Sequence, residues 1–122
     1  MKISFTFDGV PGPKPRPRIG KSHIYSPKAK NVDTLKFAAW RARPQKLLTG
    51  PLRMTLYVYY KSPNRKRIIY KSSRPDIDNI LKTVMDACRG LIYKDDAQIA
   101  CCKAEKNWGF DNKTIVEIEE IE

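Results

Sequence analysis

Two pairs of aspartates carry the clearest chemical signal in the chain. Asp76 and Asp78 stand two residues apart in Arg74-Pro75-Asp76-Ile77-Asp78-Asn79-Ile80-Leu81-Lys82, and Asp95 and Asp96 are adjacent in Lys94-Asp95-Asp96-Ala97-Gln98. One aspartate behind a proline at the mouth of a helix is explained by N-capping and the helix dipole, a contribution of about 1 kcal/mol. Only one residue can be the cap, so the second acid is left over. If the strand after that helix begins beside the helix N-terminus, Asp95 and Asp96 return to face Asp76 and Asp78. Carboxylates gathered in this way repel one another and raise their pKa values unless a cation shares them. A few hard oxygen ligands, completed by water and substrate phosphate, suit Mg²⁺. Such ions activate water and stabilise the leaving oxygen in phosphodiester hydrolysis. Spacing alone does not rank Asp95 against Asp96.

Lys82 follows Asp78 by four residues and shares its helix face. It reads either as an ordinary ion pair or as a cation that holds the scissile phosphate or the attacking water. Asp86, further along, reads as a solvated acid. His23 is the only histidine, which rules out a His-rich metal site, and its setting suits a surface loop. Cys88, Cys101 and Cys102 lack zinc-ligand spacing and read as small core residues.

The elements that must position these residues follow from periodicity. Residues 2–7 alternate as a strand. The proline-alternating stretch that follows, within a basic arm over about 9–27, excludes helix and displays Lys14, Arg16 and Arg18. A cationic helix is expected over 28–43, with Val32, Leu35, Ala39 and Ala42 at helical spacing and Phe37 and Trp40 in its buried stripe. Residues 53–60 alternate as a strand with one core face. Residues 61–75 read as a basic, mobile surface loop carrying Arg65, Lys66, Arg67, Lys71 and Arg74. Ile77, Ile80, Leu81, Val84, Cys88 and Leu91 give the strongest helical pattern, with Gly90 at the expected C-cap. Strands over 97–105 and 114–121 complete a single α+β domain: a small mixed sheet of about four strands with two helices packed on it.

Composition sets the partner class. The 122 residues hold 24 Lys+Arg against 13 Asp+Glu, a formal charge of +11. Positions 1–75 carry 18 basic and 2 acidic residues, and eleven Lys/Arg separate Asp33 from Asp76 without an acid between them. A basic stretch of that length is a footprint for nucleic acid. The chain has no apolar run long enough for a membrane span, no signal-peptide core, and no disulfide framework. It reads as a soluble protein of the reducing cytoplasm.

The motif residues now fall into a known pattern. The run from Arg74 to Lys82, then Asp86-Ala87, then Asp95-Asp96-Ala97-Gln98 resembles the RusA family of Holliday junction resolvases, with its D-x-D-N-x-x-K, a helix, and D-D-x-Q opening a strand. The resemblance implies a homodimeric, Mg²⁺-dependent endonuclease of prokaryotic or phage origin, with Mn²⁺ an expected substitute, that cuts four-way DNA junctions by paired nicks in opposed strands. Carried over by position, it makes Asp76, Asp78 and Asp96 the metal ligands and Lys82 the catalytic lysine. Asp95 supports the site from behind or shapes its turn. The arm and the basic loop are expected to contact DNA, although neither aligns closely with the family. A two-fold protein would present one acidic site to each of two equivalent strands. The competing readings are a non-catalytic basic nucleic-acid-binding module and a metal-dependent nuclease for other branched or single-stranded DNA.

Overall fold

The computed structural model describes residues 1–13, 18–20, 24–25, 29–62, 64 and 67–122, with backbone only at 18, 24 and 25. In chain order its elements are β1 (Lys2–Phe7), β2 (Arg18–Ile19), β3 (Ile24–Tyr25), α1 (Val32–Ala42), β4 (Leu52–Lys61), β5 (Ile69–Tyr70), α2 (Ile77–Cys88), a 3-10 turn (Asp96–Gln98), β6 (Ile99–Gly109) and β7 (Lys113–Glu120). The main sheet has the order β1-β7-β4-β6-β5, and β2 and β3 form a separate ribbon. The α+β class with a mixed sheet and two helices is the expected one.

Alternation along the strands puts one face of the sheet in the core. Leu52, Met54, Leu56 and Val58 of β4, Val116 and Ile118 of β7, and Phe5 and Phe7 of β1 are all buried. Leu35 and Ala39 of α1 and Ile80, Val84, Ala87 and Cys88 of α2 cover them. The opposite face is polar and carries the ion pairs Arg53–Glu119 and Lys2–Glu117, each at 2.9 Å, and Lys103–Glu105 at 3.3 Å. Three acids of the C-terminal half, Glu105, Glu117 and Glu119, are therefore paired away from the helical layer.

β4 and β6 are parallel neighbours, and parallel strands require a crossover. The helix of that crossover is α2, which therefore lies against the sheet antiparallel to β6. This one connection fixes where both aspartate pairs fall.

Several expectations change. The sheet has five strands rather than about four, because Ile69 and Tyr70, inside the stretch expected to be loop, pair with Trp108 and Asn107 of β6. Residue 97 opens no strand: Asp96–Gln98 winds into a 3-10 turn and β6 starts at Ile99. Phe37 and Trp40 stand 58% and 48% exposed. Leu35 and Ala39 fill the contact of α1 with the body, and the two aromatics lie outside it. Cys88 is buried as expected, but Cys101 and Cys102 are exposed. Among the described residues, the edge of β6 beside them has no strand partner before β5 joins at Asn107.

Candidate active site

Asp76 occupies the N-cap position of α2, yet its side chain accepts no hydrogen bond from the helix. Asp78, in the first turn, accepts from the N–H of Asn79 at 2.9 Å and from no other described residue. The capping explanation therefore uses neither carboxylate in the usual way. Among the described residues no cation lies within ion-pair distance of either one. Both are exposed, and Asp76 borders an open depression of about 540 Å³ lined by Pro13, Arg74, Pro75, Asp76 and Asn79. Lys82 projects from the same helix, exposed, and makes no ion pair with a described residue, Asp78 included.

The segment leading into Asp76 is held by two lysines. The Lys106 ammonium donates to the carbonyls of Ser73 and Pro75, each at 2.7 Å. Lys71 donates to the hydroxyl of Ser73 at 2.7 Å, to its carbonyl at 3.1 Å, and to the carbonyl of Arg74. Lys71 is only 8% exposed, with its ammonium over the rings of Trp108 and Tyr60 at 4.7 and 5.1 Å. Burial, reinforced by Lys106, lowers its pKa. Lys71 was expected on the surface as a DNA contact; its charge is instead spent inward, tying the strand β5 to the start of α2.

Asp95 and Asp96 sit at the other end of that helix. Asp95 accepts from the N–H of Ala97 at 2.9 Å, and Gln98 closes the capping box by accepting from the Asp95 N–H at 3.0 Å. Gln98 also donates to the carbonyls of Leu48 and Gly50, which anchors the turn on the segment before β4. Asp95 thus shapes the turn. Asp96 Oδ2 meets Arg89 at 2.8 Å, while its Oδ1 is buried with no hydrogen-bond partner among the described residues. Arg89 also reaches Asp86 at 3.4 Å. Beneath Asp96 lie the Cys88 thiol, which burial and then the Asp96 charge push up to about 12, and the Tyr93 hydroxyl. Burial raises the tyrosine first, with Cys88 and Asp96 adding to it, and its proton goes to the Met85 carbonyl at 2.8 Å.

Within one chain the two aspartate pairs do not converge. α2 has 12 residues, about 18 Å at about 1.5 Å each. From Ile99 to Lys106, whose side chain reaches Pro75, β6 covers about 23 Å. Both lengths separate Asp96 from Asp76 far beyond the reach of one ion, whose ligand oxygens lie about 2.1 Å from it. Among the described residues no three His, Cys, Asp or Glu side chains could hold a metal together. The expected return of the chain to the helix N-terminus fails at the turn after α2. Gly90, at φ 85°, reverses the chain at once, Ile92 and Tyr93 are buried there, and only β6 itself runs back.

Arg67 and Arg74 are described DNA-contact candidates; Arg74 is exposed beside Asp76. Lys14, Arg16, Arg65, Lys66 and His23 lie outside the described residues, as does the side chain of Arg18. Ahead of the arm, Pro11 and Gly12 are buried, and the Gly12 carbonyl accepts from Thr83 of α2 at 2.9 Å. The sequence reading missed Arg89 and Lys106. The position of Arg89 in the last helical turn, one residue ahead of the Gly90 cap, was the available signal for the first. Lys106 left only its parity with the core-facing Ala104.

The chain matches the family described as Endodeoxyribonuclease RusA over residues 8–119. It is 30% identical over 131 aligned positions to the crossover junction endodeoxyribonuclease rusA of Lactococcus phage r1t, covering 99% of this chain and 100% of that protein. It is also 33% identical over 138 aligned positions to the uncharacterized protein YqaN of Bacillus subtilis (strain 168), covering 98% and 96%.

Proposed function

The chain belongs to the RusA family of endodeoxyribonucleases, and from that premise we propose that it resolves four-way DNA junctions as a Mg²⁺-dependent homodimer whose two acidic sites are each built from both copies. The observation that carries the shared site is the separation of Asp76 and Asp78 from Asp96 by the length of α2. A two-fold axis passing the middle of α2 and the middle of the span from Asp96 to Lys106 would set the helix start of one copy opposite the partner's Asp96, and the same again on the other side. The open edge of β6 over residues 99–105 is the natural seam. Unpaired edges are usually covered, and antiparallel pairing centred near Cys101 would run residue 106 of one copy beside the partner's Asp96.

The donors fit a hard divalent cation in that arrangement. Asp76 offers a carboxylate that caps nothing in the helix, Asp78 one that accepts a single N–H, that of Asn79, among the described residues, and Asp96 an oxygen that is buried with no hydrogen-bond partner among the described residues. When bound, Mg²⁺ supplies charge for water activation and for the leaving oxygen. Arg89 holds Asp96 in place through Oδ2, and Lys106 and Lys71 fix the backbone before Asp76. Lys82, unpaired among the described residues and one turn beyond Asp78, would hold the scissile phosphate. The basic residues grip the arms by their phosphates, which positions DNA without reading bases.

The test is cleavage of an end-labelled four-way junction and its matched duplex, with Mg²⁺, with Mn²⁺ and with chelator. Symmetric nicks on the junction, metal-dependent and absent from the duplex, are expected. Binding without cutting in either metal would reduce the protein to a non-catalytic module, and preferred cutting of flaps or single strands would reassign its substrate.

A further inference from the structure

We propose that the outer face of α1 is a second DNA-contact surface, one that takes unpaired bases. Phe37 and Trp40 lie there 6.1 Å apart between ring centroids and nearly parallel, at 16°. The Arg43 guanidinium sits 4.1 Å from the Trp40 ring centroid and that of Arg41 6.0 Å from Phe37. Four flat π groups, two of them cationic, therefore form one cluster, and both aromatics remain about half exposed. Alongside it, Phe5, Thr6 and Phe7 of the edge strand β1 and Phe37, Ala38 and Arg41 of α1 line a groove of about 380 Å³.

An exposed aromatic pair of this size marks an interaction site. Its charge selects the occupant. Asp33 is the only acid of α1, whereas Lys36, Arg41, Arg43 and Lys46 are all exposed. A two-fold interface would set such a face against its own copy, cation against cation. Single-stranded nucleic acid satisfies both halves: bases stack on aromatic rings and guanidinium planes, and the phosphates between them meet the cations. Paired bases present no free face, so the expected ligand is the unstacked strand at a branch point rather than duplex DNA.

The inference rests on the protein acting on branched DNA but not on where its metal sits. The experiment contains chelator, so it can fail while junction cleavage stands, or succeed while cleavage fails. Binding of a fluorescent thymidine oligonucleotide is compared with that of an abasic strand of equal length. Phe37→Ala with Trp40→Ala should weaken the thymidine strand about tenfold and leave the abasic strand unchanged, which also reports an intact fold. In a Trp108→Phe protein, where Trp40 is the remaining tryptophan, the thymidine strand should quench emission and the abasic strand should not. Equal losses on both strands, no loss, no selective quenching, or a change in sedimenting mass in place of a change in binding would each overturn the proposal.

Discussion

Lys106 of β6 donates to the carbonyl of Pro75 at 2.7 Å, one residue ahead of Asp76. A sheet strand thus sets the backbone that presents a candidate metal ligand, and a second lysine, Lys71, holds the carbonyls of Ser73 and Arg74. Replacing Lys106 with Met is expected to lower stability by about 1–2 kcal/mol. Cleavage should fall further than that loss explains, about tenfold, because a small misplacement of a reacting group is costly. Thermal melting and Mg²⁺-titrated cleavage separate the two effects: the half-saturating Mg²⁺ concentration should rise while junction affinity stays within about twofold. Unchanged Mg²⁺ dependence would make Lys106 a purely structural residue.

Lys71 and Arg74 should differ in salt dependence. Each phosphate contact adds about 0.9 to the steepness of log affinity against log salt. Arg74→Gln, at an exposed side chain, is expected to flatten the slope for junction binding by about one contact. Lys71→Gln should leave it unchanged, since that ammonium is buried on protein carbonyls. A flatter slope for Lys71→Gln would return the residue to the DNA surface.

Much of this site was legible in the sequence. Pro75 followed by apolar residues at helical spacing located α2, and the alternating residues of β4 gave its core face. Turn-shaping was one of two roles read for Asp95, but the capping box that Gln98 closes was not read from the Asp95-Asp96-Ala97-Gln98 spacing. Illegible were features that depend on distant chain segments. Ile69 and Tyr70 form a strand only because β6 passes beside them. Phe37 and Trp40 lie about 200° and 140° round α1 from Leu35 at about 100° per residue, so the period itself puts them outside the face of Leu35 and Ala39, and only their size and apolar character argued for burial. The separation of the aspartate pairs was hidden for a similar reason. Residues 90–95 could be traced as a return path, whereas burial of Ile92 and Tyr93 keeps them at the far end of the helix.

The β6 seam predicts proximity between copies. Antiparallel strands place opposed Cα atoms about 4.5–5.5 Å apart, so the exposed Cys101 and Cys102 of two copies should lie within reach of a short bis-maleimide. Covalent dimers are expected from the native protein in gel analysis and should vanish when both cysteines become serine. Monomers alone from the native protein, under conditions where sedimentation gives a dimer, would move the interface elsewhere.

Alkaline stability should report the buried end of α2. The Cys88 thiol ionises near 9.0 when free and is pushed up to about 12 by burial and by Asp96. Between those values the folded chain holds a proton that the unfolded chain has lost, so this stabilisation is complete below pH 9 and fades as pH rises through the window. Urea midpoints measured from pH 8 to 11 should fall more steeply for the native protein than for Cys88→Ala. Parallel curves would mean that the thiol is not shielded.

Subunit mixing tests the shared site most directly. Asp76→Asn and Asp96→Asn proteins, each expected to cleave more than about 100-fold more slowly than native, are co-expressed under different tags and the heterodimer is isolated. If each site joins Asp76 of one copy to the partner's Asp96, the heterodimer carries one site with both defects and one with none. It should nick one strand of a four-way junction at about half the native rate per dimer. A heterodimer as inactive as its parents would show that each chain builds its site alone and would contradict the account.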